Sequence, residues 1–480
     1  MLDQPVSGSK KIYFLGIGGV AMGNAALMAR GIGHRVGGSD GAIYPPMSNL
    51  LRENGIVPFG GFCEENLSSF APDLVVVGNG VGRGNAEVEW LLDRETIPFT
   101  SLPNFLFQHF LRGRHRLVFA GTHGKTTTTA AAAFYLRQLG IAAGFFAGGA
   151  PFNFPTGADI GAPGTPFAIE GDEYDSAFFD KRSKFIHYAP DTLVVSAIDF
   201  DHADIFRDRT DVGRTFNHLL RTMPRRRSVF ISGDGDDGDF LGPCPWIKIF
   251  RVGLGQNNDF RLQNLSLGGE GSSWEVAHGK EILQMSSSLG GEFNVRNCTM
   301  AVLAAHDALG TALPGRADLR GFRGVQRRQQ LLHGDSRCRV YEDFGHHPRA
   351  IREVLRSLRL RHGGCELIGC FEPATHTALR RELAEEFVSA FSLGDRCYWG
   401  ELRRPERIPA GERIIPGEIM GRLREIGVDA IAFEKNGELQ ERLLEVLGRE
   451  SEKLRVVVLF SNASFADVLP YWRARGGGGA

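Results

Sequence analysis

Short apolar runs alternate with helical stretches along almost the whole chain. KIYFLG (11–16) and DLVVVGN (73–79) are bounded by glycine-rich turns, the pattern of strands buried on both faces of a parallel sheet. A second series begins at RLVFAGTHGK (116–125) and takes in LVVSAIDF (193–200) and SVFISG (228–233). A third starts with RVYEDFGHHP (339–348) and continues through ELIGCFEP (366–373) and VVVLFSN (456–462). Helical periodicity fills the intervals, so each series reads β-α-β and the fold class is α/β with parallel sheets. The glycine-rich polar stretch near 253–274 departs from this rhythm and predicts an insertion or a local antiparallel sheet. No internal repeat is evident, and the GGGGA tail reads as a disordered end.

A chain of 480 residues exceeds what one core supports, and the three series predict domains over 1–113, 114–322 and 323–480. The formal charge of -1 gives no electrostatic reason to expect nucleic acid or an anionic membrane as partner. Anionic substrates must then be held by local devices such as helix N-termini and single basic residues. The seven cysteines are scattered without a CxxC pair, which reads as reduced thiols and not as a disulfide framework. No signal peptide is indicated and no apolar run reaches spanning length, so a cytoplasmic protein is expected.

Gly16, Gly18 and Ala21 fit the G-x-G-x-x-G/A pattern between a strand and an apolar helix, and Asp40 ends the next strand pattern. Glycines there let the backbone approach a diphosphate, and the helix N-terminus supplies amides. A tight turn without ligand, an NAD site and a nucleotide-sugar site all fit this signal taken alone. AGTHGKTTTT (120–129) says more. A strand leads into Gly121 and Gly124, then Lys125 and Thr126, then an alanine-rich helix. The loop is shorter than a standard Walker A, because Phe119 stands at its first glycine. Backbone N–H groups can still cradle phosphates, Lys125 can neutralise them, and the Thr126 hydroxyl can reach magnesium. A simple dehydrogenase would not need this second phosphate site.

Two acidic clusters, EGDEYD (170–175) and DFDHAD (199–204), follow apolar strands. Strand C-termini in a parallel sheet open onto the ligand crevice, and magnesium takes carboxylates together with phosphate oxygens. Glu173 is the first-choice ligand, with His202 as a second ligand or an orienting donor.

Taken together, these residues resemble the Mur ligases, ATP-dependent amide ligases of cell-wall precursor synthesis. GIGGVAMG (16–23) is similar to their UDP-binding turn, GTHGKTTTT (121–129) to their ATP loop, and EGDEYD to their metal segment. LGGEFNVRNCTMAV (289–302) is similar to the adenine-side motif, and GVQRRQQ (324–330) and YEDFGHHP (341–348) to motifs opening the third domain. The resemblance implies a Rossmann-like UDP-sugar domain over 1–113 and a P-loop-type ATPase domain over 114–322. It implies a Rossmann-like domain over 323–480 for the amine and for nucleotide closure. Two branches of the family carry the G-x-G-G turn and the GHHP motif. One adds L-alanine to UDP-N-acetylmuramate, and the other adds the recycled tripeptide L-Ala-γ-D-Glu-meso-diaminopimelate. YPPMSNLL (44–51), the GN…RGN element (78–85) and FFDKRSKFIHYAP…DFDHADIF (178–206) look closer to the tripeptide branch.

By the same resemblance, ATP and Mg2+ are the cofactors, and UDP-N-acetylmuramate and a peptide or amino-acid amine the partners. Lys125, Glu173, His202 and Arg327 are implied as catalytic, with Thr126, Glu173 and His202 on the metal and Arg327 reaching the γ-phosphate. ATP is expected at Gly121, Thr122, His123, Gly124, Lys125, Thr126, Thr127, Asn294, Asn297, Arg327 and Asp343. The UDP-sugar is expected at Gly16, Gly18, Gly19, Val20, Ala21, Met22, Ser39, Asp40 and Asn79, and the amine at His346 and Arg380. FEPATHT places Ala374 where the tripeptide branch carries an arginine, and SNASFAD (461–467) departs from a glycine-rich loop. An arginine could hold a substrate carboxylate bidentately and alanine cannot. L-Alanine addition, and a silent sensor binding UDP-sugar and ATP, therefore stay open beside tripeptide ligation.

Overall fold

A computed structural model describes residues 8–199, 205–268 and 271–475 of the chain. His202 lies outside the described residues. Three sheets organise the fold, and every strand read from an apolar run lies in one of them.

The first is five-stranded, in the order Phe59–Gly60, Arg35–Asp40, Lys11–Leu15, Leu74–Val77, Phe99–Ser101, and all its pairings are parallel. Chain order reverses on the two sides of Lys11–Leu15, so the crevice beyond Leu15 and Val77 is a topological switch point. Helix Val20–Gly31 starts there and covers the sheet with small residues, Ala25, Ala26 and Ala29, all fully buried.

The second sheet has eleven strands. Its parallel centre runs Lys248–Gly253, Ser228–Ser232, Thr192–Val195, Arg116–Ala120, Phe167–Gly171, Gly144–Phe146. The polar stretch read as an insertion or a local antiparallel sheet is antiparallel and joins this sheet: Phe260–Gly268, Gly271–His278 and Glu281–Ser287 extend it as a meander. One face of that meander alternates inward, with Trp274, Val276, Leu283 and Met285 buried, which is the period of a half-covered sheet. Helices Lys125–Gln138 and Glu292–Leu309 pack together over the centre, where Ala130–Ala133 allow close approach.

The third sheet runs Gln330–Gly334, Cys338–Asp343, Arg455–Phe460, Glu366–Phe371, Arg396–Trp399, Asp429–Ala432. Only its first pairing is antiparallel. Every residue of Arg455–Phe460 is buried, as expected for a central strand covered on both faces.

The apolar packing does not divide in the same way as the sheets. One contiguous cluster joins Ile12, Phe14 and Val76 of the first sheet to Val118, Ile169 and Leu193 of the second, through Phe105, Leu106 and Leu111. The third sheet has two clusters of its own, drawn from residues 332–472, with Phe293 packed against one of them. Besides Phe293, its contacts with the rest include a backbone bridge between Pro151 and Val325, whose side chain lies in the second sheet's apolar cluster, and an ion pair between Arg349 and Asp199.

Candidate active site

Strand Arg116–Ala120 ends in the phosphate loop, and helix Lys125–Gln138 begins immediately after it. Two glycines make the turn possible. Gly121 has φ +120° and Gly124 φ +82°, conformations that a side chain strains. A Cβ on Gly124 would stand 2.6 Å from Asn297 Oδ1, and one on Gly121 would stand 2.8 Å from the Ala197 N. The loop thus keeps bare backbone where phosphate must approach, and Asn297, called from sequence, lies against it.

Lys125 Nζ donates to Glu173 Oε2 at 2.7 Å, with 12 % and 4 % of the two side chains exposed. Burial works against the Lys125 charge, but Glu173, Asp172 and Glu170 outweigh it and raise the ammonium pKa. Thr126 Oγ1 donates to Glu170 Oε1 at 3.0 Å, and the Gly148 N–H to Glu170 Oε2 at 2.6 Å. Burial pushes the Glu170 carboxyl up, against the pull of Lys125. Asp172, between the two glutamates, takes the Lys184 ammonium at 2.6 Å. A hydroxyl and two carboxylates, all hard oxygen donors, therefore surround the start of the helix, which fits magnesium completed by phosphate oxygens. Among the described residues no group of three His, Cys, Asp or Glu side chains is placed to hold a metal ion.

Asp199 sits where the loop meets the third sheet. Its N–H donates to Thr122 Oγ1 at 2.9 Å, and its carboxylate takes Arg349 Nη1 at 2.6 Å and lies 3.5 Å from His123 Nε2. His347 caps helix Pro348–Arg361, and its ring centroid is 5.3 Å from that of His123.

Several expected residues stand elsewhere. His346, called for the amine, turns Nδ1 to the Phe344 carbonyl at 3.2 Å, and it is the next histidine, His347, that meets the phosphate loop. Arg327 is held within its own domain: Nε bonds Glu342 Oε1 at 2.7 Å, and Nη2 bonds the carbonyls of Ser461 and Ala463 at 2.9 and 3.1 Å. Glu342 is buried, so in this arrangement the guanidinium is committed to it and to those two carbonyls. Asp343 is buried, with its carboxylate taking the N–H groups of Gln329 and Gly345 at 2.9 and 2.7 Å, which organises its own loop. Arg380 Nη1 lies 3.5 Å from Glu412.

In the first domain, Gly16, Gly18, Gly19, Val20, Ala21 and Asn79 line the switch point with at least partial exposure. Ser39 does not: it is fully buried, and its Oγ donates to Glu87 Oε2 at 2.6 Å inside the core. Met22 is likewise a core residue, packed over Gly78. Asp40 takes the Gly18 N–H at 2.8 Å and so braces the glycine turn.

Sequence reasoning missed Glu170, Asp199, His347 and Arg349. Three of them lie inside motifs already singled out, EGDEYD, DFDHAD and GHHP, and the choice among neighbouring acids or histidines was what the pattern left open.

With this geometry in place, comparison with known proteins assigns the class. Residues 119–305 match the Mur ligase middle domain, and residues 11–114 match the Mur ligase family, catalytic domain. The chain belongs to the Mur ligase family, three-domain α/β enzymes that form amide bonds at the expense of ATP. It is 39% identical over 403 residues, 83% of its length and 86% of the relative's, to the UDP-N-acetylmuramate–L-alanyl-γ-D-glutamyl-meso-2,6-diaminoheptandioate ligase of Escherichia coli K12. The ligase of the same name from Haemophilus influenzae is 34% identical over 96% of this chain and 97% of its own. The crystal structure of a murein peptide ligase from Psychrobacter arcticus superposes with a TM-score of 0.68 at 29% identity, covering 98% of this chain and all of the other. Among the described residues no helix is long and apolar enough to cross a membrane.

Proposed function

We propose that the protein joins the tripeptide L-Ala-γ-D-Glu-meso-diaminopimelate to UDP-N-acetylmuramate, cleaving ATP to ADP and phosphate. One observation carries the reading: the phosphate loop holds a buried, charged Lys125 beside Glu173 and Glu170, in a chain 39% identical to a ligase of that name. The working division is a UDP-sugar domain at 1–113, an ATP domain at 114–322 and an amine-binding domain at 323–480, in the cytoplasm.

The muramate carboxylate attacks the γ-phosphoryl group, giving an acyl phosphate and ADP. The L-alanyl amine then attacks the acyl carbon, loses a proton, and phosphate departs. Such transfers need positioning and charge neutralisation more than covalent help from the protein. Lys125 holds phosphate oxygens once Glu173 releases it. Magnesium, when bound, neutralises phosphate charge, and Thr126, Glu173 and Glu170 are the groups that would hold it, with His202 carried from the family pattern. Backbone N–H groups from Gly121 to Thr127 and the Asn297 side chain cradle the nucleotide. Asn294 braces this region, its Nδ2 donating to the Gly290 carbonyl at 2.8 Å. Arg327 reaches the γ-phosphate only by leaving Glu342, which ties its arrival to a change in the third domain.

The test is to incubate the protein with ATP, magnesium and UDP-N-acetylmuramate, offering tripeptide or L-alanine separately, and to identify products by mass. Tripeptide adduct with little alanine adduct supports the reading. Alanine adduct alone moves the protein to the L-alanine-adding branch, a second reading favoured by Ala374. Neither adduct would overturn both.

A further inference from the structure

Strand Glu366–Phe371 leads into Glu372, Pro373 and Ala374, and the parallel strand Arg396–Trp399 leads into residues 400–404 beside them. The Arg403 N–H donates to the Pro373 carbonyl at 2.9 Å, which fixes Arg403 alongside Ala374 at the carboxyl end of the sheet. In a parallel sheet that end is where ligands bind. Arg404 follows with a left-handed φ of +52°, a sharp turn for a non-glycine residue.

The Arg403 guanidinium keeps 39 % exposure, and its nearest carboxylate, Glu372, is 3.9 Å away. Glu372 is fully buried and already taken: Oε1 accepts from Asn436 Nδ2 at 3.0 Å, and Oε2 from Ser461 Oγ at 2.7 Å and the Phe465 N–H at 2.8 Å. Among the described residues the Arg403 guanidinium makes no hydrogen bond, so its donor fork is available to a planar anion. Arg380 and Arg381 are engaged. Arg381 Nη2 bonds both Glu418 oxygens at 3.0 and 3.1 Å, and Arg380 lies between Glu412 and Glu382 at 3.5 and 3.9 Å. Arg403 also adjoins the machinery of transfer, because the Ser461 that bonds Glu372 gives its carbonyl to Arg327.

We propose that Arg403 receives a carboxylate of the amine substrate, filling in space the role that Ala374 cannot. This rests on the ligase reading above. Arg403→Gln should raise KM for the tripeptide about 10–100-fold, the loss of a hydrogen-bonded charge pair, with kcat and the KM values for ATP and UDP-N-acetylmuramate nearly unchanged. Arg403→Lys should recover part of the loss, and adding Ala374→Arg to Arg403→Gln should recover more. On the wild-type protein, tripeptides with single carboxylates converted to amides should identify one position whose conversion raises KM as much as Arg403→Gln does. That same conversion should add nothing to the Arg403→Gln variant.

An unchanged tripeptide KM would overturn the proposal. So would an equal rise in KM for ATP, which marks Arg403 as a brace for Glu372. Should Arg403→Gln fail to fold, amidation at every position leaving wild-type KM unchanged would overturn it alone. The ligase reading is judged separately, by whether the wild-type protein forms the tripeptide adduct. If only L-alanine is ligated, the variants are read on the KM for that amine, whose carboxylate would be the group received.

Discussion

Lys125 and Glu173 form an ion pair at 2.7 Å with both side chains almost out of reach of water. Each is the other's counter-charge in the ligand-free protein, and on the proposed reading phosphate and magnesium would have to part them. Separating such a pair in the interior is costly, so ligands must supply replacement charges at the same time. This favours joint entry of nucleotide and cation over either alone.

Removal of Lys125 tests that pairing directly. Lys125→Met leaves the Glu173 carboxylate buried without its cation, and the ligand-free protein should lose about 3–5 kcal/mol of stability in urea unfolding. Ligation should fall at least about 10²-fold in kcat. A variant as stable as wild type would show that Glu173 finds another partner.

Gly124→Ala places a methyl group 2.6 Å from Asn297 Oδ1 at a residue with φ +82°. Strain of about 1–3 kcal/mol is expected, together with loss of ATP affinity by calorimetry. If UDP-N-acetylmuramate binds at the first sheet as proposed, its affinity should stay within experimental error.

Asp199→Ala removes the carboxylate that holds Arg349 at 2.6 Å but keeps the Asp199 N–H that bonds Thr122. The phosphate loop should therefore survive while the third domain loses an anchor. Small-angle scattering should record a larger radius of gyration for the ligand-free variant than for wild type.

His109 makes stability depend on pH. Burial, then the nearby His34 and Lys10, lower its pKa from 6.5 to about 4. Between those values the unfolded chain takes a proton that the folded ring refuses, so protonation favours unfolding. Stability from this group is complete above 6.5 and is lost as pH falls toward 4. His362, buried beside Arg339 and Arg361, is also lowered to about 4 and acts in the same direction. The melting temperature should drop on acidification from 7 to 5, and His109→Gln should flatten that dependence.

The strands read from sequence were readable because each is an apolar run closed by glycine, an acid or, at 461–462, a Ser-Asn pair. VVVLFSN, for instance, becomes Arg455–Phe460 with every residue buried. The phosphate loop was readable for the same reason, since its chemistry lies in consecutive residues. What periodicity cannot carry is the choice of partner over long separations. Ser39 looks like a ribose neighbour until Glu87 takes its hydroxyl in the core. Arg327 looks free until Glu342 and the carbonyls of Ser461 and Ala463 hold it. Within EGDEYD both glutamates face the loop, Glu170 on Thr126 and Glu173 on Lys125, and nothing in local order separates those duties. The polar meander was misjudged in extent only: its alternation is genuine, but glycine and serine dilute it.

The first two sheets share one apolar cluster, and the third has its own. Substitutions that repack the core of the third sheet reach the phosphate loop only through a few contacts, such as Arg349–Asp199 and His347–His123, and away from these they should behave additively. If the third sheet binds the amine as proposed, substitutions there can alter amine choice while the Lys125–Glu173 region keeps its packing. Ala374 and the SNASFAD loop both lie in the third region, so on that reading a change of amine would leave the carboxylate-activating chemistry in place.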